Sequence, residues 1–402
     1  MISAKKRTTF WVACVGLLLF ANNILQAADE VIKIVSSMPR TGSAKAQTDT
    51  IVNGIRLALE EVDSKAAGFK LEYKDLDDAT ASAGQWTADA EAANAAQAVQ
   101  DKDVMVYIGT YNSGAAKVSM PILNDARILM ISPANTWPGL TKPGLGDPGE
   151  PNKYRPSKKL NYVRVVPADD LQGPLSADFA KAQGLKRVYI LDDNEVYGKG
   201  LATLFHAQAK DIGLTVLGHD SIDAKAQEYK SLMTKIKGQK PDLIYFGGTS
   251  QSNGGQIAKD MVSVGLNCKM MAPDGCYEEA FITAAGASNV NDRCYVTFGG
   301  LPPDKLEGNG KVFVEKYKKR FNAMPEAYAI YGYECGKVAI EAISRAKKKD
   351  REAITQAALG IKDFDGALGK WSFDANGDTT LTTITVSNIK NGKFEFFKKL
   401  GQ

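Results

Sequence analysis

Residues 128–136 read ILMISPANT. Four large apolar residues run unbroken into Ser132, Pro133, Ala134, Asn135 and Thr136. A run without polar alternation is the pattern of a strand buried on both faces, as in the middle of a parallel sheet. Pro133 stops the strand. The small polar residues around it either turn the chain or face something at the strand's carboxyl end.

The same pattern recurs on both sides of this stretch. VIKIVSS (31–37), FKLEYKD (69–75), VMVYIG (104–109), RVYILDD (187–193), LTVLGHD (214–220) and DLIYFGG (242–248) are predicted strands. Between them lie helical patterns: one with Ile51, Ile55, Leu59 and Val62 on one side, then 84–101, 114–126, 199–212 and 227–237. In the last, Tyr229, Leu232, Met233 and Ile236 follow the i, i+3, i+4, i+7 stripe. Such alternation predicts an α/β protein with helices on both faces of parallel sheets. The series breaks once, at the Pro/Gly-dense stretch 138–159, which excludes a helix or central strand there. That insert either overhangs a cleft or covers a surface. NYVRVVPADD (161–170) restarts the series, so the chain reads as two lobes with a crossing near Pro167. Two helices follow over 308–347, with Tyr328, Tyr331, Val338, Ala339 and Ile343 as candidate core. Residues 371–397 read as a hairpin-like tail with Asn-Gly turns.

With 402 residues, 44% of them hydrophobic and 24% charged, the composition is ordinary for a globular protein and the length favours two domains. The first 28 residues read as a secretory signal peptide: Lys5, Lys6 and Arg7, an apolar run over Phe10–Ala21, then Ala27 and Ala28. Cys14 lies inside the apolar run, which argues against a lipidated cysteine following it. Removing this segment lowers the formal charge from +4 to +1. A nearly neutral chain without a basic patch offers nothing to nucleic acid or an anionic membrane. Export without a second apolar segment points to the periplasm. Cys268, Cys276, Cys294 and Cys335 then meet an oxidising compartment, where Cys276 and Cys294 are the first candidate pair and buried free thiols the alternative.

Ligands of open α/β sheets sit outside the carboxyl ends of the strands, where helix N-termini also point. Besides the polar end of ILMISPANT, that position holds Thr110–Ser113, Asp192–Tyr197, Thr249–Asn253 and Asp274. A cleft between two lobes collects them all. Catalytic apparatus is not visible. GTYNSGAAK (109–117) has Ala115 and Ala116 where a phosphate loop needs Lys and Ser/Thr, no GxGxxG follows the first strand, where SSMPRTGSAK has one glycine, and no GxSxG occurs. His206 reads as a helix-face residue and His219 as a turn residue, without metal-ligand spacing. DANGD (374–378) reads as a turn rather than a calcium loop. No metal or cofactor is expected, and an enzyme is disfavoured.

From ILMISPANTWPGLT outward, the sequence resembles the branched-chain amino-acid binding proteins of ABC transporters. TGSAKAQ, IGTYNSG, VRVVPADDLQGP, DDNEVYGKGLA, PDLIYFGG, VGLNCKMMAPDG and FDGALGKWSFDANGD match in order. The resemblance implies a type I periplasmic binding protein: two Rossmann-like lobes, 29–167 with 299–371 and 168–298 with 372–402, hinged to close on one solute. It implies a monomer that delivers an amino acid or related small zwitterion to an inner-membrane permease. A ligand sensor for a chemoreceptor or kinase, or a binder of an amide, urea or aromatic acid, is the alternative on the same fold.

The resemblance also implies a ligand set. Ser113 donates to the ligand carboxylate, Ala134 acts through its backbone, and Thr136 uses its N–H and hydroxyl. Tyr197 reaches over from the second lobe. Asp274 pairs with the ammonium, standing where the family usually has Glu. Gln47 and Thr249 occupy positions that are often aromatic and border the ligand side chain, so a polar or larger side chain is as compatible as leucine. Thr80 and Asn112 stand where the family has a first-lobe disulfide. Without a ligand, Ser113 and Asp274 are plain helix caps, Ala134 and Thr136 a polar turn, and Tyr197 packing.

Overall fold

The computed structural model describes residues 30–400; the signal-peptide segment, with Cys14, lies outside the described residues. The first lobe is built from β1 (Val31–Met38), α1 (Lys45–Glu60), β2 (Lys65–Ala66), β3 (Phe69–Asp77), α2 (Ala88–Gln100), β4 (Val104–Gly109), α3 (Ser113–Asp125), β5 (Leu129–Ser132) and β6 (Tyr162–Arg164). These strands form a six-stranded sheet in the order β2-β3-β1-β4-β5-β6, parallel except for β2. The chain then crosses into α4 (Asp169–Ala182), β7 (Arg187–Asp192), α5 (Val196–Asp211), β8 (Thr215–Ser221), α6 (Lys230–Gly238), β9 (Leu243–Gly247), α7 (Gly254–Ser263), β10 (Lys269–Ala272), α8 (Glu279–Ala285), α9 (Ala287–Val290) and β11 (Cys294–Gly299). Three helices, α10 (Gly308–Phe321), α11 (Ala329–Ala346) and α12 (Arg351–Leu359), precede the hairpin β12 (Phe364–Gly366) and β13 (Gly369–Trp371). The chain ends in β14 (Ile384–Lys390) and β15 (Lys393–Leu400). The second sheet runs β15-β14-β11-β10-β9-β7-β8, parallel except for β14, which is antiparallel to both its neighbours β11 and β15.

Every residue of β4, β5 and β9 is buried, which is why their sequences show no polar alternation. Ile51, Ile55 and Leu59 point α1 into the core, against α11 with its buried Tyr331, Val338, Ala339 and Ile343. The two helices touch backbone to backbone. A Cβ on Gly54 would lie 2.1 Å from the Ala329 carbonyl oxygen, and one on Gly332 2.0 Å from that of Ile51. Glycine is there because nothing larger fits.

Several expectations need correction. All four described cysteines are buried free thiols, including Cys276 and Cys294. Met270 of β10 pairs with Cys294 in parallel register, whereas Cys276 follows the far end of β10, so the two sit at opposite ends of the sheet. His219 lies within β8 rather than in a turn. Its Nδ1 is 3.0 Å from the His206 Nδ1, and its Nε2 is 2.9 Å from the Asp192 carboxylate. The tail is a hairpin only from Ile384, turning at Asn391 and Gly392. Residues 374–378 do form a turn, with the Asp374 carboxylate accepting from the Asn376 and Asp378 N–H groups.

The helix contact yields a direct test. Gly332→Ala should lose about 2–3 kcal/mol of unfolding free energy. Gly238→Ala, where a Cβ meets nothing within 4 Å, should shift the chemical-denaturation midpoint little.

Candidate functional site

Residues just beyond β1, β4, β5, β7, β9 and β10 meet across the gap between the lobes. An inner cavity of about 270 Å³, counting its open side, is lined by Tyr111, Ser113 and Ala134 from the first lobe and Tyr197, Thr249 and Asp274 from the second, with Tyr328 at the start of α11. An adjoining chamber of about 470 Å³, counting its open mouth, shares Asn112, Ser113, Tyr197 and Thr249 and adds Trp86 and Asp193.

Ser113 is the first residue of α3, so the uncapped N–H end of that helix faces the cavity. The Ser113 Oγ accepts from the backbone N–H groups of Thr136 and Trp137, both at 3.3 Å. Its own proton stays free to donate. With the helix N-terminus behind it, this wall favours an anionic group.

Opposite stands Asp274, 3% exposed, in the single turn after β10. One carboxylate oxygen accepts from Tyr197 Oη at 2.6 Å and Gln172 Nε2 at 2.9 Å; the other accepts from Tyr328 Oη. Burial pushes this carboxyl above its ordinary range, and the three donors pull it back. Three hydrogen bonds leave one of roughly four lone-pair sites for a further donor. Asp169, fully buried at the start of α4, is pushed well up by burial and then by Asp274. Two carboxylates so close do not ionise together. Burial, and then the neighbouring Asp274, push Asp169 toward its neutral form.

The loop between these walls is braced from below. Arg164, wholly buried on β6, donates through Nη1 to the carbonyls of Asn135 (3.2 Å) and Trp137 (2.9 Å). Its Nε meets Asp378 at 2.7 Å and its Nη2 the Thr141 hydroxyl. Burial raises the Asp378 carboxyl, but Arg164 outweighs it and holds the group below its usual range. Asn135 also ties the loop sideways, through Thr110 N–H to its Oδ1 (3.1 Å) and its Nδ2 to the Thr110 carbonyl (2.9 Å).

The insert folds around Glu150, which accepts from Trp137 Nε1 (2.9 Å), Tyr154 Oη and Lys117 Nζ (2.8 Å). Burial opposes its ionisation, yet these donors hold it down at about 2. Trp137 is thereby pressed on the second lobe, where a Cβ on Gly200 of α5 would lie 2.4 Å from the indole. The insert neither roofs the cleft nor merely covers a surface; it fixes an inter-lobe contact.

Of the ligand set implied by sequence, Ser113, Ala134, Tyr197, Thr249 and Asp274 line the inner cavity. Thr136 is buried behind it, its N–H given to Ser113 and its hydroxyl without a partner. Gln47 also stands back, accepting from Tyr111 Oη. Tyr111 is the wall instead, edge-on to Tyr328 with centroids 6.2 Å apart. Sequence reasoning placed Tyr111 at the ligand side only as part of Thr110–Ser113, without a role, and missed Gln172 and Asp169, although PADDLQGP contains both. The aromatic ring and the paired acids straight after strand ends were the available signal.

Two α/β lobes with Ser113 and Asp274 facing one another across the cleft between them define the architecture of a solute-binding protein. The chain belongs to the periplasmic binding protein family, whose sequence model matches residues 31–393. It is 28% identical over 393 residues to the Leu/Ile/Val-binding protein BraC3 of Rhizobium johnstonii, covering 96% of this chain and 98% of that one. It is 24% identical to a leucine-, isoleucine-, valine-, threonine- and alanine-binding protein of Pseudomonas aeruginosa, covering 89% of this chain and 90% of the relative. The crystal structure of the leucine-binding protein LivK from Thermotoga maritima superposes with a TM-score of 0.81 at 26% identity, over 92% of this chain and 99% of LivK. A Rhodopseudomonas palustris solute-binding protein in complex with benzoate shares the fold, with a TM-score of 0.77 at 18% identity over 92% and 96% of the two chains.

Arg164→Met should cost about 3–5 kcal/mol, because Asp378 keeps its burial and loses its cation; denaturant unfolding reads it. Asp169→Asn carries the opposite sign. A carboxyl raised in the folded state contributes full stability below its unfolded value near 3.8 and loses it as pH rises through the folded value. The Asn variant should therefore melt above the wild type at pH 8, with the gain vanishing near pH 4.

Proposed function

We propose that this chain is the exported receptor of an ABC uptake system, capturing an amino acid or similar small zwitterion between its lobes. The carrying observation is one inter-lobe cavity with Ser113 and the α3 N-terminus on one wall and Asp274 on the other. A zwitterion presents both charge signs within a few ångströms and must shed its water when the lobes shut. Buried charges cost several kcal/mol each unless partners are supplied together. Ser113 takes the carboxylate and Asp274 the ammonium, with the Ala134 backbone beside them, Thr136 one layer behind through its N–H to Ser113, and Tyr197 and Thr249 along the side chain. Gln47 acts through Tyr111.

The names of the relatives support this reading, since BraC3 and the Pseudomonas protein are called amino-acid-binding. An aromatic acid such as the benzoate of the Rhodopseudomonas complex has no cation for Asp274, and no Lys or Arg lines either chamber. The protein works as a periplasmic monomer, without cofactor or turnover, and hands its solute to an inner-membrane permease.

Calorimetry with free amino acids should find one ligand per chain. Asp274→Ala should weaken binding at least about a hundredfold, the order expected when a buried charge loses its partner. Wild-type affinity in that variant would end the ammonium assignment.

A further inference from the structure

Three of the side chains lining the inner cavity are tyrosines, Tyr111, Tyr197 and Tyr328, and they gather around one carboxylate. Tyr197 and Tyr328 donate their hydroxyls to Asp274 from either side. Tyr111 gives its hydroxyl to Gln47, which does not line the cavity, and presents its ring as wall. The rings of Tyr111 and Tyr328 are inclined at 66° with centroids 6.2 Å apart, so they form a corner rather than a stack. Phe298 backs Tyr328 at 5.5 Å and fixes that corner. Among the described residues no Lys, Arg or His lines the cavity. Aromatic rings around a carboxylate attract a cation through their quadrupoles as well as through the negative charge, when it sits within about 6 Å of a ring centroid.

The hydrogen-bond inventory says which kind of cation. A primary ammonium brings three N–H donors. Asp274 already accepts three bonds, two on one oxygen and one on the other, so roughly one of four lone-pair sites is open. Tyr197 Oη accepts from the Gly275 N–H at 3.1 Å, and Thr249 Oγ1 from the Ser252 N–H at 3.1 Å. Of the side chains on this side of the cavity, Tyr328 alone adds a free lone pair. A primary ammonium therefore keeps an N–H without a side-chain acceptor here, and a donor shut away from water unbonded is costly. Methyl groups in place of those hydrogens remove the requirement and lay apolar surface against the rings. The positive charge still meets Asp274.

We infer that the cavity favours a zwitterion with a methylated nitrogen, a betaine or an N-methylated amino acid, over the parent primary amino acid. Tyr111, Tyr197 and Tyr328 enclose the methylated ammonium beside Asp274, and Ser113 with the α3 N-terminus takes the carboxylate. This rests on the zwitterion reading above and deepens it. Ala134 and Thr249 complete the lining with small side chains, which leaves the rings as its bulky walls.

The test is calorimetry on the full mature chain with glycine and its mono-, di- and trimethylated forms, and with L-leucine and N-methyl-L-leucine. At least one methylated member should bind about tenfold or more tighter than its own parent. Tyr111→Leu should collapse that ratio, whereas Tyr111→Phe, which keeps the ring and gives up only the bond to Gln47, should preserve it. Should Tyr111→Leu not fold, the wild-type comparison still decides. Parents matching every methylated counterpart, or a ratio unmoved by folded Tyr111→Leu, overturns the aromatic enclosure while the zwitterion reading stands. Failure of all six ligands on wild type overturns that earlier reading, and this proposal with it.

Discussion

The guanidinium of Arg164 is the fixed point of the binding loop. It is completely buried, so its charge is tolerable only because donors on all three of its nitrogens find acceptors. Those acceptors come from three separate stretches: the loop carbonyls of Asn135 and Trp137, Thr141 of the insert, and Asp378 of the returning chain. With the carbonyls turned down toward Arg164, the N–H groups of Thr136 and Trp137 turn toward Ser113. The orientation of the Ser113 hydroxyl therefore descends from a charge that never meets the ligand.

This geometry divides the cleft electrostatically. The first-lobe wall offers donors and a helix N-terminus. The second offers Asp274, with Asp169, Glu278 and Asp193 close by. Burial raises each of these carboxyls. The acidic wall therefore favours a cation brought to it over a further negative charge. A site of this kind discriminates by the sign of the incoming group more sharply than by shape.

Much of this was legible in the sequence, for a physical reason. Strands such as VMVYIG and ILMIS are covered on both faces, so their order alone implied parallel sheets, and their polar ends marked the ligand side. Ser113 and Asp274 could be read because each immediately follows a strand. Gln47 and Thr136 were placed at the ligand by motif, yet the fold sets them one layer back, since register along a loop is not encoded in residue type. Asp169, Glu278 and Arg164 were invisible because burial creates their chemistry, and burial depends on contacts far along the chain. The same limit hid the meeting of His206 with His219, and it made Cys276 and Cys294 look like a pair although the sheet holds them apart.

The donors to Asp274 say how the trap is balanced. Tyr197 and Gln172 belong to the second lobe, as does Asp274 itself, whereas Tyr328 opens α11, which packs on α1 of the first. One of the three bonds therefore crosses between the lobes. Trp137 against Gly200 and Gly114 beside Val196 add apolar contacts across the same gap. Contacts between the lobes thus accompany whatever contacts the solute makes to each. A ligand shifts such an equilibrium only by what it gains in the closed form beyond the open one. A zwitterion that bonds Ser113 on one side and the remaining acceptor site of Asp274 on the other gains both contacts only when the lobes meet.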